Sequence, residues 1–131
     1  MRYRRRSLFF LLPLVSCTSG PPRASEPPNL IHGGWIREKS DLVTPADAPQ
    51  SLQSLNPVKV WRVKYRGPQD ITAIWILYPH ETVAFEAMQK MNKGPAVRPF
   101  QRGAFFVVLD AAGIPAQALG DFQEGVIKAL P

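Results

Sequence analysis

Residues 60–66 read Val-Trp-Arg-Val-Lys-Tyr-Arg, and no other stretch constrains the fold so tightly. Trp61, Val63 and Tyr65 alternate with Arg62, Lys64 and Arg66. A period of two with one apolar and one charged side is the pattern of a half-buried β-strand. Gly67-Pro68-Gln69-Asp70 supplies turn residues, and Ile71 to Tyr78 reads as a second strand. Together they predict an antiparallel hairpin.

Pro79 stops the second strand, and Glu81 to Lys93 reads as a helix with Ala84, Ala87, Met88 and Met91 along one side. Glu86 and Lys90 form a favourable pair one turn apart, and Gly94-Pro95 supplies a stop. Ala104 to Leu109 is a third strand. Gly113 and Pro115 then introduce a final helix whose apolar stripe is Leu119, Phe122, Val126, Ile127 and Leu130. Gly120 and Gly125 each weaken that helix by about 1 kcal/mol relative to alanine, so packing must hold it.

The order β-β-α-β-α predicts an α+β fold: a small antiparallel or mixed sheet of three to four strands with two helices on one face. A helix between the second and third strands sets them parallel through a right-handed crossover. Placing the third strand beside the first gives order 2-1-3, whereas placing it beside the second gives a mixed sheet. Upstream, Trp35-Ile36 is expected as a short strand after Gly33-Gly34. Thr44-Pro45-Ala46-Asp47 reads as a helix start, with Leu52 and Leu55 on the buried side.

The second and third strands are apolar on both sides. Ile71, Ala73, Trp75 and Leu77 oppose Ile74, Ile76 and Tyr78; Phe105, Val107 and Leu109 oppose Ala104, Phe106 and Val108. With both helices on one face, something else must shield the other, since bare apolar patches of several hundred Å² are uncommon on monomers. The stretch Leu30–Leu55, carrying Trp35, Ile36, Leu42, Leu52 and Leu55, is one cover. A partner protein, self-association or a small apolar ligand are the others.

The chain contains one cysteine, Cys17, so the domain that follows has no internal disulfide and must rely on its core. That cysteine ends a stretch of distinctive order. Met1 to Arg6 carries Arg2, Arg4, Arg5 and Arg6, and Leu8 to Val15 is apolar apart from Pro13. A basic start and a short apolar core mark a secretory leader. Eight residues are too few to span a bilayer, which takes roughly 20 as a helix. Leu14, Val15, Ser16 and Cys17 close the leader in a pattern that resembles the lipobox of bacterial lipoproteins.

That resemblance covers residues 1–17. It implies cleavage between Ser16 and Cys17, a diacylglycerol thioether on Cys17 and acylation of the new amino terminus. Two or more chains hold a protein to a membrane stably, where one does not. Thr18 stands where an aspartate would retain the protein at the inner membrane. The resemblance therefore implies a lipid anchor in the cell envelope, on the periplasmic side of the outer membrane where the organism has two membranes.

The expected organisation is a signal peptide over residues 1–16, a lipidated Pro/Ser-rich tether over 17–29 and one small α+β domain over 30–131. The tether, at roughly 3 Å per residue, would hold the domain about 30 Å or more from the lipid surface. Loss of four arginines with the leader takes sixteen cations to twelve against ten carboxylates, so the formal +6 becomes +2. The basic charge belongs mostly to the targeting segment, and no nucleic-acid partner is expected.

Candidate sites in the domain are few. Arg62, Lys64 and Arg66 lie about 7 Å apart along one strand, with Trp75 as an aromatic candidate contact on the next. The same stripe is also an ordinary solvated strand face whose charges discourage edge pairing. His32 and His80 stand in different segments with no cysteine or acidic cluster at metal-ligand spacing, and His80 after Pro79 reads as a helix-start residue. Ser51 and Ser54 lack a nucleophile-elbow context, and Gly33-Gly34 lacks the remaining residues of a phosphate loop. No catalytic constellation, metal site or cofactor is expected. The whole resembles small lipoproteins of unknown function. It points to a membrane-anchored interaction or structural module, acting on an envelope protein or on a second copy of itself. Binding of an anionic envelope component through Arg62, Lys64 and Arg66 is the alternative.

Overall fold

The computed structural model describes residues 26–44, 55–91 and 96–130. The lipobox, residues 17–25, the expected helix after Thr44 and Leu52 lie outside the described residues. The elements run β1 (Leu30–Ile31), β2 (Trp35–Val43), β3 (Lys59–Arg66), β4 (Ile71–Leu77), α1 (Glu81–Lys90), β5 (Val97–Arg102), β6 (Phe105–Asp110) and α2 (Ala116–Ala129). The six strands form one sheet in the order β1-β2-β3-β4-β6-β5, and every neighbouring pair is antiparallel.

The expected β3–β4 hairpin is present in register, with Tyr65 opposite Ile71 and Trp61 opposite Trp75. The rest of the architecture corrects the expectation of three to four strands with both helices on one face. β1 and β5 were not expected at all, and β2 only in part. β5 carries Arg98, Pro99 and Arg102, and a proline inside a run argues against a strand. Here β5 is an edge strand, so the missing N–H of Pro99 need not break a ladder on its outer side. A two-residue turn at Gly103-Ala104, with Gly103 at φ 60°, joins it to β6, as a hairpin with glycine in the first turn position requires. The helix thus returns the chain to β5 at the edge, and β6 comes back antiparallel beside β4. The parallel crossover expected between β4 and β6 does not form.

β2 is the second correction, nine residues where only Trp35-Ile36 was expected. The described part of the stretch Leu30–Leu55, residues 30–43, extends the sheet instead of folding flat across it. Ile31 and Trp35 enter one core and Val43 and Leu55 pack against the other, while Ile36 and Leu42 stay exposed.

The two helices lie on opposite faces. α1 brings Ala84 and Ala87 onto Val60, Ile76, Tyr78, Phe106 and Val108. α2 brings Leu119, Phe122 and Val126 onto Trp35, Val63, Tyr65, Trp75, Phe105 and Val107. One helix per face explains why β4 and β6 are apolar on both sides, and the division of their side chains follows the expected alternation.

The sheet also curls. α2 touches β1 and β5, which are opposite edges of the six strands. Flat, those edges would stand about 24 Å apart at ~4.8 Å per strand, twice a helix's diameter. On the β5 side Arg98 Nε donates to Gln123 Oε1 at 3.0 Å and Arg102 Nη2 to the Leu130 carbonyl at 3.2 Å. On the β1 side the Cα of Gly125 sits against Ile31 and the His32 carbonyl, with no room for a Cβ. The strands thus form a half-barrel whose trough holds α2.

Aromatic rings run the length of that trough. Trp35 meets Phe122 at 5.3 Å, Phe122 meets Tyr65 at 5.1 Å, and Trp75 meets Phe105 at 5.3 Å, all near the edge-to-face geometry that ring quadrupoles favour. Tyr65–Trp75 at 6.4 Å and Trp61–Phe105 at 6.0 Å complete the row.

Residues 26–29, expected within the tether, are held against the domain. Arg37 Nη1 donates to the Pro27 carbonyl at 2.7 Å and to Glu26 Oε1 at 3.2 Å, and Tyr65 Oη donates to the Pro28 carbonyl at 2.9 Å. Arg37 N donates to the Asn29 carbonyl at 2.8 Å.

Candidate functional site

The side chains of Arg62, Lys64 and Arg66 leave β3 on its convex face, because Val63 and Tyr65 between them point into the trough. Their environment is set by a bulge in β2. Arg37 pairs with Tyr65, but Lys39 pairs with Lys64, so Glu38 is an extra residue on the β2 side. A bulge shifts the alternation by one. Before it, Trp35 and Arg37 share the trough face with Tyr65; after it, Lys39 and Asp41 share the convex face with Lys64 and Arg62. The result is a mixed charge field where the sequence suggested a bare basic stripe.

Glu38 Oε2 accepts from Arg66 Nη2 at 2.6 Å, and Glu38 Oε1 lies 3.9 Å from Lys64 Nζ. Lys39 Nζ lies 3.7 Å from Asp41 Oδ2, and Asp41 stands opposite Arg62. The hydrogen bond from Arg66 holds the Glu38 carboxyl below its ordinary range, and Glu38 in turn raises Arg66. Each of these pairs is exposed to solvent, which screens it and leaves it little net effect on stability. Without Glu38 and Asp41, Lys39 and Lys64 would face each other as like charges across two strands, which is destabilising. The field holds four cations and two carboxylates.

Along the same face the field ends in two exposed apolar side chains. Leu30 is opposite Ile36, which is opposite Arg66, and they are 62 % and 55 % exposed. α1 covers the other half of the convex face, over Val60, Ile76, Phe106 and Val108. Among the described residues no helix covers the half-face from Leu30 to Arg62.

Trp75 does not belong to this surface. It is fully buried in the trough between Tyr65 and Phe105, on the opposite side of the sheet from Arg62, Lys64 and Arg66. Its proposed contact role is corrected to a core role. Arg98 and Arg102 are no part of that surface either, since they donate to Gln123 and to the Leu130 carbonyl at α2.

His80 does begin a helix, its carbonyl accepting from Val83 N at 3.1 Å and Ala84 N at 3.3 Å. His32 lies at the mouth of the trough, beside a groove of about 380 Å³ shared with Trp35, Pro68, Asp121, Glu124 and Lys128. Residues so far apart in the chain left no local signal of that groove. Its polar side chains stand at an open rim. Among the described residues no group of three or more His, Cys, Asp or Glu is placed to hold a metal ion, and no helix is long and apolar enough to cross a membrane.

Two tyrosines flank the sheet. Burial pushes the Tyr78 phenol up to about 12 and the Tyr65 phenol higher still. Tyr65 has the Pro28 carbonyl as acceptor, whereas the Tyr78 hydroxyl has no hydrogen-bond partner among the described residues.

No family model matches this chain, and neither the curated proteins nor the solved structures provide a match.

Proposed function

We propose that the protein is a lipid-anchored envelope lipoprotein whose half-barrel domain serves as an interaction or structural module close to the membrane. The observation that carries this reading is the run Leu14-Val15-Ser16-Cys17 after a basic, apolar leader, followed by a segment without large apolar residues up to a folded domain. The fold supports it in one respect. The hydrogen-bonded domain begins by Glu26, so eight residues lie between it and Cys17. At ~3.3–3.6 Å per residue these reach about 30 Å at full extension. The domain works near the bilayer, in the periplasmic space at the outer membrane where there are two membranes.

Intact mass of the protein purified from membranes tests the anchor. The expected mass is that of residues 17–131 plus diacylglycerol and an amide-linked acyl chain, and Cys17→Ser is expected to abolish both processing and membrane retention. A free thiol at position 17 on freely diffusing protein would sink the proposal.

The alternative, binding of an anionic envelope component through Arg62, Lys64 and Arg66, is weakened by Glu38. That carboxylate is already shared between two of the three cations.

A further inference from the structure

Side chains hold the strap Glu26-Pro27-Pro28 to the domain. A proline has no N–H to give to a ladder, and here two donors from β2 and β3 take up the carbonyls instead. Arg37 and Tyr65 stand directly opposite each other on the trough face, which sets those donors side by side. Arg37 Nη1 donates to the Pro27 carbonyl at 2.7 Å, and Tyr65 Oη donates to the next carbonyl, that of Pro28, at 2.9 Å. Arg37 Nη1 also meets Glu26 Oε1 at 3.2 Å, and Pro27 is buried. We propose that Arg37 and Tyr65 form a recognition site for an extended acid-proline-proline segment, filled in cis by Glu26-Pro27-Pro28 and open to the same sequence in trans when the strap lifts.

The receptor half is built without help from the strap. Tyr65 is fully buried, its ring set against Phe122 at 5.1 Å and Trp75 at 6.4 Å, and only its hydroxyl reaches the strap. The ligand half needs little ordering, because consecutive prolines are extended before they bind, which is how proline-rich segments are read elsewhere. The contacts are to two successive carbonyls, one proline ring and one carboxylate. Any chain with that chemistry satisfies them. The strap wins over a free competitor because it is joined to the site and meets it at millimolar effective concentration. The inference gives the interaction module a ligand class without depending on the lipidation of Cys17. The sequence also supplies its own control, since Pro21-Pro22 follows Gly20 where Pro27-Pro28 follows Glu26.

The test uses the full chain, purified in detergent so that either state of Cys17 serves. Glu26→Gly, Pro27→Gly and Pro28→Gly together lift the strap. The probe is acetyl-Ala-Ser-Glu-Pro-Pro-amide, residues 24–28, and the control is acetyl-Thr-Ser-Gly-Pro-Pro-amide, residues 18–22. The probe is expected to raise the melting temperature of the glycine variant saturably, and the control to bind several-fold more weakly. The wild-type chain, its site already filled, is expected to respond to neither. Adding Tyr65→Phe to the glycine variant is expected to weaken binding of the probe about fivefold, and adding Arg37→Ala about tenfold or more, as the loss of a neutral and of a charged hydrogen bond requires. If the triple variant does not melt cooperatively, Pro27→Gly alone takes its place with the same expectations. A melting temperature that the probe does not move overturns the site. So do equal affinities for the two peptides, a response indifferent to Tyr65→Phe and Arg37→Ala, or an equal response from the wild-type chain. Each of these leaves the anchor untouched, which the mass of the membrane-derived protein decides separately.

Discussion

The two faces of the sheet are both dry beneath their helices, yet they are built from different materials. The trough is filled by large rings, Trp35, Trp75, Tyr65, Phe105 and Phe122, and α2 meets the strands along its whole length from one sheet edge to the other. The convex face is covered over half its extent by α1, whose buried contacts are the methyl groups of Ala84 and Ala87. Curvature explains the contrast. Strands wrapped around a helix need bulk to fill the hollow, whereas strands bulging toward a helix leave space only for small side chains. Stability is expected to reside in the trough, and tolerance to change on the other side.

The largest effect that would break this comparison is at Phe122, which touches both Trp35 and Tyr65. Phe122→Ala is expected to cost about 3–5 kcal/mol, and Ile76→Val beneath α1 only about 0.5–1.5 kcal/mol. Denaturant midpoints measure both, and comparable losses at the two sites would contradict the division of labour.

Alkaline titration comes next in size and reaches both faces. In the unfolded chain both phenols ionise near pH 10, while burial keeps them protonated in the fold. A raised acid pKa means that the folded state holds its proton longer, so this contribution is complete below pH 10 and is lost as pH climbs toward 12. Tyr78 alone accounts for about 2–3 kcal/mol of that loss at 1.36 kcal/mol per pH unit. Tyr78→Phe is expected to remove this share without destabilising the protein at neutral pH, since it deletes a buried hydroxyl that lacks a partner. Tyr65→Phe, which forfeits the bond to Pro28, is expected to cost about 1 kcal/mol. Stability curves at pH 7 and pH 11 distinguish the two.

The smallest and sharpest test uses the two glycines of α2. Gly125→Ala drives a methyl into Ile31 and the His32 carbonyl, for an expected loss of about 1–3 kcal/mol. Gly120 has only the end of the Arg98 side chain nearby, at 3.9 Å from an added Cβ, and Gly120→Ala is expected to stabilise by up to about 1 kcal/mol. Thermal melts of the pair would show opposite signs. The helix-weakening residues seen in the sequence are therefore of two kinds, one needed for close approach and one dispensable.

What the sequence disclosed depended on how cleanly each segment repeats. The period of two survives in β3, β4 and β6, and their side chains divide between the faces as read. α1 and α2 keep their helical stripes, with Ala84, Ala87, Leu119, Phe122 and Val126 buried. In β2 the bulge at Glu38 breaks the alternation midway, and its charged residues hide a strand whose apolar members are few. In β5 the proline disguises an edge. Missing β5 then forced the wrong crossover, because a helix followed directly by β6 implies parallel pairing. The charge field was legible only in half, since Arg62, Lys64 and Arg66 are local to one strand but Glu38 and Asp41 arrive from another.

The filling of the trough has a temporal side. α2 lies C-terminal to every strand it covers, so a chain emerging from its amino terminus can pair strands β1 to β6 and still leave Trp35, Tyr65 and Trp75 wet. The hydrophobic reward for that row arrives only with Leu119, Phe122 and Val126. A nascent polypeptide therefore cannot bury this row until the residues of α2 have emerged.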